Sequence, residues 1–357
     1  MHHVHPHLIQ QLCQLQHAHV IRSRSVERAQ QAQAEQRALC LAVFERTGGK
    51  QHLEARSIFR AQRHVRRVLE QPAEQQARDR ELARLRRRVL QARKGFGMLI
   101  YWLAWERRRV VRTNLRLCFP QMQDKDREKL SRRHFRAFGR TVLEHAILWW
   151  GSEQRIRRLV AFEGREHLDR EHGKPLIVLA PHFVGLDMGG IRISIEYDMM
   201  SMYSHQKNPA LDKILLHGRT RFGESVLVSR QDGLRPVIRG LRKGIAFFYL
   251  PDMDLGPKDS LFVPFFGVPA ATVTGLSRLA RMTGARVVPC ITRQLPGARG
   301  YVTRFYPAWD DFPGASIEDD TRRMNAFIED RAREMPEQYY WLHKRFKTRP
   351  PGEPRFY

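Results

Sequence analysis

The chain has 357 residues, enough for one large α/β domain with an appendage or for two modest domains, and too many for a small disulfide scaffold. Its formal charge of +26 requires an anionic counterpart, whether nucleic acid, lipid headgroups or a phosphorylated substrate. Cys13, Cys40, Cys118 and Cys290 are scattered without a C-x-x-C pair, which argues against a zinc or redox motif and reads as free thiols in a reducing compartment.

Residues 1–94 are rich in Gln, Arg and His and hold no apolar period for more than two turns. They are expected to form a poorly ordered or helical basic extension, or to reflect an upstream start, since the next methionine after Met1 is Met98. His2, His3, His5 and His7 lack Cys or carboxylate partners and read as solvated tail. The first residues carry no sustained apolar run of the kind a secretory signal needs.

From Gly95 onward the composition is that of an enzyme domain, 95–357. The apolar stretch Gly95 to Trp105 ends at Glu106-Arg107-Arg108-Arg109, well short of the roughly 20 residues that span a bilayer. Tyr101, Trp102 and Trp105 beside Arg107, Arg108, Arg109, Arg112 and Arg116 read either as a face lying on an anionic membrane or as an ordinary charged helix. Helical patterns over Trp105–Leu117 and Asp126–Trp150 lead into strand signals at Pro175–Ala180, Met199–Tyr203, Ser225–Val228, Ile245–Leu250, Arg286–Ile291 and Tyr301–Tyr306. Helices are expected between them at Leu211–Arg221, Leu234–Arg242 and Val273–Thr283, with another at Ile317–Arg333. Strands spaced by helices predict an α/β/α sandwich around a mixed, largely parallel sheet.

The sharpest chemical feature is Ala180-Pro-His-Phe-Val-Gly-Leu-Asp187, directly after the most apolar strand. Ligands bind at the carboxyl ends of strands in such sheets, and a His with an Asp five residues on suits a base and its orienter. Five residues put the pair roughly 140° apart on a regular helix, so the chain must turn between them, and Gly185 permits the turn. Taken alone, this spacing does not distinguish a catalytic pair from an ordinary loop. In Leu250-Pro-Asp-Met-Asp254, Asp252 either positions substrate, holds Arg219, or caps a turn. Phe262-Val-Pro-Phe-Phe-Gly267 is read partly as core; its two prolines and glycine argue against a regular core strand and suit a wall of an acyl-chain slot, with Phe262, Phe265 and Phe266 as lining candidates. The aromatic and basic residues interleaved from Tyr339 to Arg349 fit either nucleic acid or a membrane interface.

These segments together resemble the bacterial lipid A biosynthesis acyltransferases. The resemblance runs through Arg112-Thr-Asn-Leu-Arg-Leu-Cys-Phe-Pro120, the His182/Asp187 block, Lys207-Asn-Pro, Gly218-Arg-Thr-Arg-Phe-Gly223, Leu250-Pro-Asp-Met-Asp-Leu-Gly256, Phe262 to Thr272, Val288-Pro289, and Tyr340 to Pro350. It implies a glycerol-phosphate-acyltransferase-like fold. It also implies His182 as general base, Asp187 as its orienting acid, and Arg219 and Asp252 as further substrate-binding residues of the active site. The implied donor is an acyl-acyl-carrier protein, and the implied acceptor is a lipid A precursor glycolipid at the cytoplasmic face of the inner membrane, with no metal or cofactor. The chain departs from the family's pattern in having Asp at 187, where Glu is common, and only a short apolar stretch where an N-terminal apolar helix is usual. An acyltransferase for another glycolipid or a lysophospholipid is the nearest alternative. A nucleic-acid-binding protein is the alternative from another class, but it leaves His182, Asp187 and the phenylalanine-rich segment unexplained.

Overall fold

The computed structural model describes residues 91–92, 95–204 and 208–357. The expected N-terminal extension, its histidines and cysteines, and Lys207 fall outside the described residues. Residues 95–103 are helical and pass through Ala104 into α1 (Trp105–Cys118), which is followed by the long α2 (Asp124–Trp150). Gly97 and Gly139 let the two helical segments touch backbone to backbone, because a Cβ on Gly139 would lie 2.4 Å from the Gly97 Cα.

After α3 (Glu153–Leu159), strands and helices alternate: β1 (Val160–Glu163), α4 (Arg165–Asp169), β2 (Leu176–Leu179), α5 (Leu186–Ser194), β3 (Met199–Tyr203), α6 (Pro209–Arg219) and β4 (Val226–Ser229). They continue through α7 (Arg235–Arg242), β5 (Ala246–Tyr249), β6 (Ser260–Phe265), β7 (Val268–Val273), α8 (Gly275–Thr283), β8 (Arg286–Gln294), β9 (Tyr301–Phe305) and α9 (Ile317–Glu334). Seven strands form one sheet in the order β1-β9-β8-β2-β5-β3-β4, parallel throughout except for the antiparallel β8–β9 pair. The mixed, largely parallel α/β sheet expected from the sequence is the fold observed.

Both faces of β2 are covered, which is why Leu176-Ile-Val-Leu179 is continuously apolar. Ile177 and Leu179 pack with Val111, Phe135 and Leu279 on one side, while Leu176 and Val178 pack with Leu168 and Ile193 on the other. Each such fully buried side chain contributes about 1.5–3 kcal/mol. The helix α5 reaches the sheet closely because it begins with glycine: a Cβ on Gly185 would lie 2.6 Å from the Thr292 carbonyl oxygen. Gly185 has φ −88°, so its glycine serves close approach rather than the sharp turn expected.

The segment Phe262 to Gly267 differs from expectation. It forms a two-stranded antiparallel ribbon, β6–β7, that turns at Phe266 and Gly267, both with positive φ. Phe265 is fully buried against Tyr339 and Phe346, Phe266 packs on Phe119 and Trp341, and Phe262 is 37% exposed. The three phenylalanines therefore point to different surroundings and do not share one wall. Thr272 and Thr274 do not cap α8 through their side chains; their hydroxyls donate to the carbonyls of Ala270 and Asp259.

The C-terminal block is also interior. Tyr339, Trp341, Arg345 and Phe346 have no exposed surface, and the Arg345 guanidinium donates to Ala271 O and Thr272 Oγ1 at 2.9 and 2.7 Å while lying over Phe265. Asn114 on α1 donates to the Trp341 and His343 carbonyls. Most of the interleaved aromatics, with His343 and Arg345, are therefore core struts, while Lys347 is exposed and Lys344 is partly exposed.

If the α5–β8 approach has no slack, Gly185→Ala should lower the free energy of unfolding by about 1–3 kcal/mol, since a backbone carbonyl cannot rotate away from the added methyl. Urea unfolding of the two proteins measures this. A change below about 0.5 kcal/mol, the range of an ordinary surface substitution, would mean that the contact relaxes.

Candidate active site

The parallel pairing of β2 with β5 matches Ile177 to Phe247, Val178 to Phe248 and Leu179 to Tyr249. Continuing that register by three residues beyond each strand sets His182 beside Asp252. Asp252 is fully buried and accepts from the His182 backbone N–H at 3.0 Å and from Nδ1 at 2.7 Å. With Nδ1 donating to a carboxylate, the imidazole carries its lone pair on Nε2, the arrangement of a base and its orienter. Burial opposes ionisation of Asp252, but the His182 charge and the bonds from its ring and backbone outweigh it and hold the carboxyl well below the usual range.

The carboxylate bonded to the His182 ring is thus Asp252, where the sequence leads one to expect Asp187. Asp187, in the first turn of α5, instead meets His145 Nε2 at 3.0 Å and Arg219 Nη2 at 3.5 Å. Loss of surrounding water works against its ionisation, yet the His145 bond and the Arg219 charge bring its pKa down, helped by His145 and His182 charges. Arg219 reaches this point from the end of α6 because Gly218 lets the helix approach Trp149 on α2, where a Cβ would fall 2.5 Å from the indole Cδ1. The turn-cap alternative for Asp252 belongs to its neighbour: Asp254 accepts from Gly256 N at 3.0 Å and from the Thr348 backbone and hydroxyl.

The C-terminal block closes the other side. Tyr340 N donates to the His182 carbonyl at 2.9 Å, Phe183 pairs with Tyr339, and the Tyr340 ring lies 6.2 Å from the imidazole. Behind Asp252, burial holds His343 down to about 4, so it is neutral at physiological pH. The sequence marks Tyr340 and His343 only as part of an interleaved aromatic and basic stretch and does not mark His145, which carries only the i,i+4 relation to Thr141 that any helix provides. Among the described residues there is no group of three His, Cys, Asp or Glu side chains placed to hold a metal ion.

The expected membrane-facing residues divide. Trp102 and Trp105 are 61% and 65% exposed, with Leu103 exposed beside them, but Tyr101 is 1% exposed and packs edge-on against Phe135. Its burial is a correction, and its cause is polar: the hydroxyl donates to Glu128 and accepts from Arg112 Nη2. Arg107 turns toward the C-terminal block and donates to Leu342 O, Arg108 lies over Tyr101 and Trp102, and Arg112 pairs with Glu128 at 2.8 Å. Arg109 is exposed.

An imidazole oriented by a buried carboxylate at the carboxyl edge of an α/β sheet is an arrangement that group transfer by general base catalysis can use. The family model described as bacterial lipid A biosynthesis acyltransferase matches residues 85–348. The chain is 36% identical over 266 residues to the lipid A biosynthesis lauroyltransferase of Escherichia coli K12, covering 74% of this chain and 86% of that one. It is 33% identical to the palmitoleoyltransferase of the same strain (70% and 82% covered) and 33% identical to its myristoyltransferase (69% and 77% covered). A 1-acyl-sn-glycerophosphate acyltransferase structure from Thermotoga maritima covers 70% of this chain and 97% of its own at 18% identity, with a TM-score of 0.35, too loose a superposition to transfer residues. The chain belongs to the bacterial lipid A biosynthesis acyltransferase family and is an O-acyltransferase.

Two buried imidazoles give the fold a pH limit. His134 on α2 and His343 are both held down to about 4 by burial, whereas the unfolded chain protonates them near pH 6.5. Because the folded values lie below the unfolded ones, stability is complete above about pH 6.5 and is lost as pH falls toward 4, in total by the order of a few kcal/mol. Urea midpoints at pH 7 and 4.5 should differ accordingly, and His134→Gln should remove part of the difference. Equal midpoints in the native chain would contradict it.

Proposed function

We propose that His182 takes the proton from a hydroxyl of a lipid A precursor as that oxygen attacks the thioester carbonyl of an acyl-acyl-carrier protein. The observation that carries this reading is the bond from His182 Nδ1 to the buried Asp252, which leaves Nε2 as acceptor. The tetrahedral intermediate collapses by breaking the carbon–sulfur bond, and the proton held on His182 passes to the departing thiolate, so that ester and free carrier thiol are the products. Asp252 stabilises the transient imidazolium. Arg219, 42% exposed and tethered by Asp187, faces outward as the cation for an anionic group of the substrate. The acyl chain is of the lauroyl or myristoyl class, in keeping with the relatives' own names.

The acceptor lies in a membrane, and we assign Trp102, Leu103 and Trp105 to the surface of the cytoplasmic leaflet. Among the described residues no helix is long and apolar enough to cross a bilayer. The support for a peripheral contact is positional: the exposed Trp105 borders a groove of about 800 Å³ in which Arg108, Arg109 and Arg116 stand beside Arg112, Arg127 and Arg132, the last three paired with Glu128 or Asp124. Apolar side chains beside a cationic groove suit anionic headgroups.

His182→Ala should retain the fold by circular dichroism and lose 10²–10⁴-fold of transfer, roughly what a positioned base supplies, when radiolabelled acyl-carrier protein and Kdo-lipid A precursor are incubated with each protein. Residual activity above a tenth would remove His182 from the role. Mass spectrometry of the product names the acyl chain and separates this acceptor from a lysophospholipid. Replacing Trp102 and Trp105 by Ser and Arg109 and Arg116 by Gln should reduce sedimentation with anionic vesicles about tenfold or more, at roughly 1 kcal/mol per basic residue near the surface. Unchanged binding, or equal binding of the native chain to neutral vesicles, would assign lipid contact to another surface.

A further inference from the structure

We propose that His145 is a positioning residue: held as an imidazolium between the Thr141 carbonyl and the Asp187 carboxylate, it fixes Asp187 and, through Asp187, the Arg219 guanidinium. The argument is one of donors and acceptors. His145 Nδ1 lies 2.8 Å from Thr141 O, and Nε2 lies 3.0 Å from Asp187 Oδ2. A backbone carbonyl only accepts, and an ionised carboxylate only accepts. Both ring nitrogens must therefore carry a proton, which only the cationic ring provides. The alternative, a protonated Asp187, is opposed by Arg219 at 3.5 Å from its other oxygen.

The surroundings agree with this count. The charged groups facing His145 are Asp187 from α5 and Arg219 from α6, with His182 beyond Asp187; on its own helix it meets Thr141 and the Trp149 ring at 5.7 Å. Burial and the Arg219 charge favour the neutral ring, yet the Asp187 and Thr141 bonds prevail and raise the His145 pKa above its ordinary value. Thr141 is itself fixed, donating to Val184 O at 2.7 Å and accepting from Gln294 Nε2 at 2.7 Å. The carbonyl of Val184 belongs to the same loop that carries His182, so α2 grips that loop and Asp187 within one helical turn.

The sign of the pH effect follows. The clamp is complete below the raised His145 pKa and is released as pH rises through it. This part of the inference rests on the reading of His182 as the base that the clamp serves. The kcat/KM profile should therefore fall along an alkaline limb as His145 loses its proton.

The test uses the full chain, histidine-labelled with ¹⁵N and ¹³C, with ring signals assigned from His145→Gln. In the native protein His145 should remain cationic at pH 7. Asp187→Asn should lower its titration midpoint by about one unit or more, the size typical of a lost ion pair, and Arg219→Gln should raise it. Opposite shifts from two variants of one cluster are not what misfolding produces. In His145→Gln, whose amide still donates to Asp187, that alkaline limb should vanish; a merely structural histidine would lower kcat/KM evenly at every pH. A neutral His145 ring at pH 7, shifts of the same sign in both variants, or an alkaline limb retained in His145→Gln would overturn the proposal. The ring titrations stand whether or not His182→Ala abolishes transfer, so failure of the base assignment and failure of the clamp are separate results.

Discussion

A carboxylate cannot be taken fully out of water without partners that replace it, and Asp252 is such a carboxylate. Its partners come from one residue, His182, through both main chain and ring. That pairing is possible only because β2 and β5 run parallel in a register that ends both strands at the same level. Strand register, burial of the anion and choice of imidazole tautomer are therefore one constraint. A slip of the pairing by one residue would separate Asp252 from His182 and turn the core side chains of β2 to the wrong layers.

The C-terminal block is what keeps water from undoing this arrangement. Tyr339 packs behind Phe183 with its hydroxyl raised in pKa by burial and by the Asp252 charge, and Tyr340 binds the His182 carbonyl. The block is secured in turn by buried polar struts: Arg345 to the β6–β7 ribbon, Asn114 to its carbonyls, and Asp254 to Thr348. Much of the basic and aromatic composition of this stretch is accordingly spent inside the protein. A composition that fits a membrane face equally fits a core once each guanidinium meets carbonyls and rings.

Most of the sheet was legible because parallel strands must be apolar on both faces. Met199–Tyr203 is the strand expected, and β2, β5, β8 and β9 fall within the expected apolar runs or extend them slightly. What escaped was locally ambiguous. α5 reads Leu-Asp-Met-Gly-Gly-Ile-Arg-Ile-Ser, poor in helix formers, and is a helix because glycine allows its packing on Thr292. The β6–β7 ribbon contains two prolines that face each other, Pro264 and Pro269, which a two-stranded ribbon tolerates at its free edges. In the site, His182 was visible from its place after the apolar strand, but its partner was sought five residues away. The acid that reaches it is 70 residues away, brought by strand register, and counting three residues past each paired strand end is the signal that locates it.

The exchange of partners has an electrostatic logic. Two carboxylates, Asp187 and Asp252, lie close enough to His182 for their charges to act on it. Two uncompensated anions beside one imidazole would each favour its charged form. Asp252 cannot be spared, because it sets the tautomer. Asp187 can be neutralised, and it is: Arg219 and His145 take its two oxygens from two different helices. The shorter Asp at this position, where the resemblance leads one to expect Glu, is served by cations that come to it. Specificity of role between two chemically identical groups thus arises from what surrounds them, one buried with a single ring, the other half exposed between two positive charges.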